Sequence, residues 1–308
     1  MMDATKNTPS VGGSDDRAPL AIVTMVYDEP DYLRIWLEYW RQQVPGDQLF
    51  VLIHGENAQL AAMAEGTNIV VIPRSEPYPE MEEDRWKMLS EFVSGLLDRF
   101  RVAVYTDVDE ILVTDPLLGK DIATRLAAAK APVSHACGIE IIHRGDLEPD
   151  PIDLSRPILQ QRGFFRTNTF HGKPCIITAP IRWGRGGHFH DKRGVRFLPH
   201  VYAIHLRFYD ETCFLERAAR RRKTTKAPKS LDANPSRRWR QSDAAAQDLL
   251  NALRATPIRP FGMIMVLWSY LRVLAKRGSR PLENGFYPYP RYPAPRLHAV
   301  PKRFKTLF

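Results

Sequence analysis

Four short apolar runs, spaced by segments of helical periodicity, constrain this chain most. The runs are Ala21–Val26, Leu49–His54, Asn68–Pro73 and Val102–Val113. A continuous apolar run of this length is expected of a strand buried on both faces. Between them, Leu33, Trp36, Leu37 and Trp40 fall at i, i+3, i+4 and i+7, Ala58–Ala64 reads as a small helix, and Trp86–Phe100 carries an apolar stripe of Leu89, Phe92, Val93, Leu96 and Phe100. Strands alternating with helices through residue 130 predict an α/β fold, a mostly parallel sheet with helices on both faces. The rhythm then changes. Val133–His143, Lys173–Pro180 and part of Val195–Phe208 read as further strands, and the loop 181–194 is rich in Gly, Arg and His.

Charge divides the 308 residues unevenly. Residues 217–308 hold 21 basic and 4 acidic residues, and the first 216 hold 23 basic and 31 acidic. The basic part begins as a helix with Arg217, Arg220, Arg221, Arg222, Lys223 and Lys226, and continues through Lys229, Arg237, Arg238, Trp239 and Arg240. Ala244–Arg254 and Phe261–Arg277 read as helices, and the end is rich in Pro and Tyr. A basic part on an acidic body suits an anionic contact. Three readings compete: a solvated basic face over a core-packing helix, attachment to an anionic inner membrane leaflet, and nucleic-acid binding. The last is disfavoured, because no recognisable nucleic-acid module accompanies the charge.

Cys137, Cys175 and Cys213 are odd in number and widely spaced, which predicts neither a disulfide framework nor a paired metal motif and favours a reducing compartment. Residues 1–19 read as a disordered leader without signal-peptide features. The longest apolar stretch, Phe261–Leu271, is about half of what spans a bilayer. A cytoplasmic protein, able to rest on the inner membrane face, is expected.

Four segments carry chemistry. Asp107, Asp109 and Glu110 form an acidic turn within the fourth run, directly after its apolar start Val102–Tyr105, at the carboxyl end of a strand, where open α/β sheets bind ligands. Two carboxylates two residues apart suit Mg²⁺ or Mn²⁺, which keep positions open for phosphate oxygens; the plainer alternative is an acidic turn capping a helix. Asp28 and Glu29 end the first run, where either could bind a base or ribose hydroxyl, or cap the helix that starts at Pro30. In the glycine-rich loop, His188 or His190 could complete a metal shell, while Arg185, Lys192 and Arg193 could neutralise a diphosphate; a polar hairpin is the alternative. His205, with Arg207 and Asp210 close behind, is either a satisfied core histidine or a ligand.

Together these pieces resemble the bacterial family 2-like glycosyltransferases of GT-A (Rossmann-like) fold. VTMVYDEPDYLRIWLEYW, VAVYTDVDEIL, GIEIIHR with ILQQRGFFR, KPCIITAPIRWGRGGHFH and VYAIHLRFYD follow that family's order over roughly residues 20–215. Two departures stand out: Asp28-Glu29 where Asn-Glu is common, and Gly-Gly-His-Phe-His where Gly-Phe-His is common. The resemblance implies a GT-A catalytic domain at 20–215 and a basic helical extension at 216–308. It implies transfer of a sugar from a nucleoside-diphosphate donor to a saccharide or lipid-linked hydroxyl, in envelope polysaccharide or glycolipid synthesis. A divalent metal (Mn or Mg) would be held by Asp107 and Asp109 with His188 or His190, and Asp28, Glu29, Asp107 and Arg185 would bind the donor. An inverting reaction would need a general base, for which Asp191 and Glu140 are the candidates and Glu110 a third. Loops 74–85 and 184–188 would serve as lids. Two rivals remain: a phosphohydrolase using Asp107, Asp109 and His190, and a non-catalytic module that binds nucleotide-sugar or polyanion.

Overall fold

The computed structural model describes residues 15–74, 78, 80–119, 121–224, 242–259, 262–275, 281–282, 284–287 and 296–308. Most of the expected leader, the basic residues Lys226, Lys229, Arg237, Arg238 and Arg240, and Trp239 lie outside them.

β1 (Ala18–Val26), α1 (Pro30–Trp40), β2 (Leu49–His54), α2 (Ala58–Met63), β3 (Asn68–Ile72), α3 (Met81–Gly95) and β4 (Phe100–Tyr105) alternate as the periodicity predicts. Their strands pair in parallel in the order β3, β2, β1, β4. β1 starts inside the expected leader, because Ala18 pairs opposite Phe100 and its N–H donates to the Arg99 carbonyl.

β1 shows why the runs are apolar throughout. Leu20, Ile22 and Val26 face one layer with Trp36 and Trp40 of α1. Ala21 and Val23 face the other with Trp86, Leu89 and Val93 of α3. Each such fully buried side chain contributes on the order of 2 kcal/mol.

Beyond β4 come β5 (Glu110–Thr114), α4 (Ile122–Ala127), β6 (Val133–Ile142), α5 (Ile158–Gln161), β7 (Phe164–Thr167), β8 (Ile176–Ile177) and β9 (Phe197–Phe208). Here the sheet is mixed, not mostly parallel. β8 runs antiparallel between β4 and β6, and β7 antiparallel on β6. Parallel returns need long crossovers, usually helical, and α5 is a single turn of 4 residues. The run 102–113 divides in two, because after the turn at Thr106–Asp109 β5 leaves β4 and pairs antiparallel with β9.

α6 (Glu211–Thr224), α7 (Asp243–Arg254), β10 (Ile258–Arg259), α8 (Gly262–Ala275) and β11 (Leu297–Ala299) complete the chain. The boundary expected between 215 and 216 falls within α6. The expected extension is also built into the body. β11 pairs with β7, Phe308 packs on Tyr39 and Phe304 on Tyr202, and Arg303 grips Asp115 through two hydrogen bonds of 2.7 and 2.8 Å.

Candidate active site

The carboxyl ends of β1, β2 and β4 open on a cleft of ≈ 890 Å³. β1 ends there in Tyr27, Asp28 and Glu29, β2 in His54, and β4 in the turn bearing Asp107, Asp109 and Glu110. The layers above clamp that turn. Trp36 Nε1 donates to Thr106 Oγ1 at 3.1 Å, and the Tyr39 hydroxyl donates to the Leu112 carbonyl at 2.8 Å. Within it, the Glu110 N–H donates to the Asp107 carbonyl at 2.9 Å.

Beneath the cleft floor, carboxylates and cations alternate. Arg217 of α6 bridges Glu29 and Asp109. His205 of β9 lies 3.5 Å from Asp109 through Nε2 and 3.4 Å from Glu140 through Nδ1. Glu140 also accepts from Arg166 at 2.6 Å and meets His171 Nε2 at 3.3 Å. His171 Nδ1 stands 3.7 Å from Glu110, and Lys173 pairs with Glu110 at 2.9 Å and with Asp107.

Burial opposes the charges of Asp109, Glu110, Glu140 and His205, and their neighbours outweigh it. Arg217 and His205 hold Asp109 well below the usual carboxylate range. His171, His205 and Arg166 do the same for Glu140, and Lys173 with the histidines pushes Glu110 down to about 2. Asp109 and Glu140 push His205 up to about 9. Asp109, Glu110, Glu140 and His205 are therefore charged at neutral pH in the ion-free protein, and His205 would have to give up its proton to serve as a metal ligand.

The structure sorts the residues expected from sequence. Asp28, Glu29, Asp107, Asp109, Glu110, Arg185, His188, His205 and Arg207 all line the cleft. Glu29 occupies the N-cap position of α1 but makes no side-chain cap bond; its carboxylate is turned to Arg217 instead. Asp28 adopts φ 48°, a left-handed conformation that aspartate tolerates better than most residues. His188 stacks on Phe170, ring centroids 3.5 Å apart.

Three expected residues are corrected. Glu140 is only 2% exposed and lies behind His171 and His205, off the cleft wall, so no acceptor hydroxyl reaches it as a base. Asp191 also lies off the cleft, where it accepts from the Arg182 N–H at 3.1 Å. His190 is buried beside His135, with ring centroids 5.2 Å apart, and its Nδ1 accepts from the Lys192 N–H at 3.2 Å. Unlike Asp107 and Asp109 it does not line the cleft, which disfavours it as their partner in a metal shell or in a phosphohydrolase site. Lys192 and Arg193 do not line the cleft either.

The sequence reading passed over Lys173, His171, Arg166 and Trp86, and read Arg217 as part of a charge run. One signal for Arg217 was present: Arg217, Arg220 and Arg221 stand at i, i+3 and i+4, one face of a helix.

The buried pair His135–His190 predicts acid sensitivity. Burial pushes His135 down to about 3 and His190 down to about 4, against 6.5 when exposed. The unfolded chain therefore binds protons that the folded chain refuses, and stability falls as pH drops from 6.5 towards 4. Each pH unit in that window costs up to about 1.4 kcal/mol per histidine. Urea unfolding at stepped pH is expected to show this slope, and His135→Phe to flatten it. An unchanged slope in the variant would assign the effect elsewhere.

The donors for a divalent ion are specific. The cleft-facing oxygens of Asp107 and Asp109 are engaged by different permanent cations, Lys173 and Arg217, so the pair is not a ready chelate. Glu110, His171 and His205 form a second set, whose ligand-type atoms lie within 4.8 Å of one another. Their atoms already have charged neighbours, Glu110 Oε1 with Lys173 at 2.9 Å and His205 Nδ1 with Glu140 at 3.4 Å, so an ion here would have to compete with those pairs. One carboxylate and two imidazoles suit Mn²⁺ better than Mg²⁺. The His171 and His205 rings stack 3.9 Å apart at 16°, so their lone pairs run side by side, and shared ligation requires one ring to turn.

No protein-family model and no curated protein matches the chain. Among solved structures it is similar to the mannosyltransferase PcManGT from Pyrobaculum calidifontis in complex with GDP-Man and Mn²⁺, with 14% identity over 84% of this chain and 81% of that one and a TM-score of 0.34. It is also similar to a mycobacterial protein, with 21% identity over 50% of this chain and 52% of that one and a TM-score of 0.27. At these scores the likeness carries no argument, and the functional reading rests on the cleft.

Proposed function

We propose that the chain is a glycosyltransferase that takes a sugar from a nucleoside-diphosphate donor and passes it to a hydroxyl acceptor. The observation that supports this reading is the convergence of three parallel strand ends, with Asp28, Asp107 and a wall of arginines, on one cleft. The sequence resemblance points the same way.

In this reading Tyr27 and His54 flank the base, with Arg74 stacked 3.8 Å over the Tyr27 ring. Asp28 accepts from a ribose hydroxyl. Arg185 and Arg220 face the diphosphate and offset the charge that grows on it as the sugar leaves. Glu110, His171 and His205 are the residues that would hold a divalent ion, which when bound supplies further positive charge against the leaving group. Lys173 orients Asp107, and Arg217 keeps Asp109 ionised and oriented. The aromatic wall of Trp86 and Phe170 keeps water from the anomeric carbon.

The test is thermal unfolding with UDP, GDP, CMP and dTDP, each with and without Mn²⁺. One nucleotide at about 100 times its Kd is expected to add about 2.7 kcal/mol of stability. Asp28→Ala, an exposed substitution, is expected to remove most of that gain, the free protein losing only about 1 kcal/mol because alanine is strained at φ 48°. Identical curves with all four nucleotides, with and without the ion, would overturn the proposal. The nucleotide that binds then identifies the donor class for a transfer assay.

A further inference from the structure

We infer that the outward face of α8 docks on an anionic lipid surface. α8 is apolar on two sides. Val266, Tyr270 and Val273 are buried against the body. Opposite them, Ile264, Leu267, Trp268 and Leu271 are 58, 60, 58 and 44% exposed. Their spacing of i, i+3, i+4 and i+7 aligns them as one stripe. A contiguous exposed stripe of large apolar residues marks a contact surface.

Charge decides the occupant. From Ala255 to Leu282 the sequence carries Arg259, Arg272, Lys276, Arg277 and Arg280, and no acidic residue. Arg272 is exposed on α8 itself. Ile258 and Arg259 are exposed on the edge strand β10, which pairs with the β11 against which α8 packs. A second copy docked on this stripe would bring like charges together. An anionic bilayer takes up both the apolar stripe and its cationic flank. Among the described residues no helix is long and apolar enough to cross a membrane, so the contact is one of lying on the surface. This inference does not depend on the proposed transferase activity.

The experiment is co-sedimentation of the full chain with vesicles of phosphatidylglycerol and phosphatidylcholine, and of phosphatidylcholine alone, at low and high salt. Binding is expected to the anionic vesicles at low salt. Leu267→Glu with Trp268→Glu is expected to weaken it by about tenfold or more, and Arg272→Glu to weaken it less. All three residues are exposed, and an unchanged melting temperature checks that the variants fold. Trp36, Trp40, Trp86 and Trp183 are buried and Trp239 lies outside the described residues, so quenching by brominated lipid is expected to be lost in Trp268→Phe and kept in Trp239→Phe. Equal binding by the folded double variant, binding indifferent to lipid charge, or no binding at low salt would each overturn the inference. So would a dimer in light scattering that the double variant abolishes, because the stripe would then be covered by a second copy.

Discussion

Arg217→Met is expected to destabilise the protein by about 3–5 kcal/mol, the usual cost of removing one partner from a buried ion pair. Arg217 is nearly inaccessible and bridges two carboxylates, Glu29 and Asp109, that are themselves buried. Without the guanidinium Glu29 keeps only Arg221 at 3.0 Å and Asp109 only His205 at 3.5 Å, the bridge between the two carboxylates is lost, and methionine offers volume but no donor. Arg217→Lys is expected to recover only part of the loss, since an ammonium lacks the planar fork that reaches two carboxylates together. Urea unfolding measures the difference. A methionine variant as stable as the parent would mean that these carboxylates do not depend on Arg217, Arg221 of the same helix and His205 being enough to hold them. The same substitution unlocks Asp109 from its position, so nucleotide-dependent stabilisation is expected to fall with it.

Gly187→Ala is expected to cost about 2–4 kcal/mol, combining left-handed backbone strain with overpacking. Gly187 has φ 66°, and a Cβ there would lie 2.5 Å from Cη2 of Trp86. The indole has little room to retreat. It packs edge-on against Tyr105 and Trp183 at 5.6 and 6.3 Å, and its Nε1 donates to Glu82 at 2.9 Å. Gly66→Ala is the control, because Gly66 has φ 81° but nothing within 4 Å of the added carbon. It should cost only the backbone strain, about 1 kcal/mol. Thermal unfolding of both variants checks the contrast, and near-ultraviolet circular dichroism reports whether Trp86 has moved. Equal losses in the two would show that the indole yields freely.

The first half of the fold was readable because its signals are local. A run such as Leu49–His54 marks a strand buried on both faces, and the period of Leu33, Trp36, Leu37 and Trp40 marks a helix. Past residue 130 the strands are short, and their direction is set by loop lengths and by which edge is still free. Neither is written in any one segment, and the two-residue β8 was beyond periodicity altogether.

The site divides the same way. Asp28, Asp107 and Asp109 declared themselves by standing at the ends of buried strands, since a strand's carboxyl end is a position that sequence can locate. Glu140 and Asp191 carry the right chemistry but sit on the wrong side of the wall, and proximity along the chain says nothing about that. Lys173, His171 and Arg217 meet their carboxylate partners in the acidic turn from 61 to 108 residues away in sequence. Local propensity and patterning settle which segments are strands and which turn is acidic. Which cation meets which carboxylate is settled only when the sheet closes and α6 folds over it, because pairing between buried charges falls off within a few ångströms and depends on the packing of the whole chain.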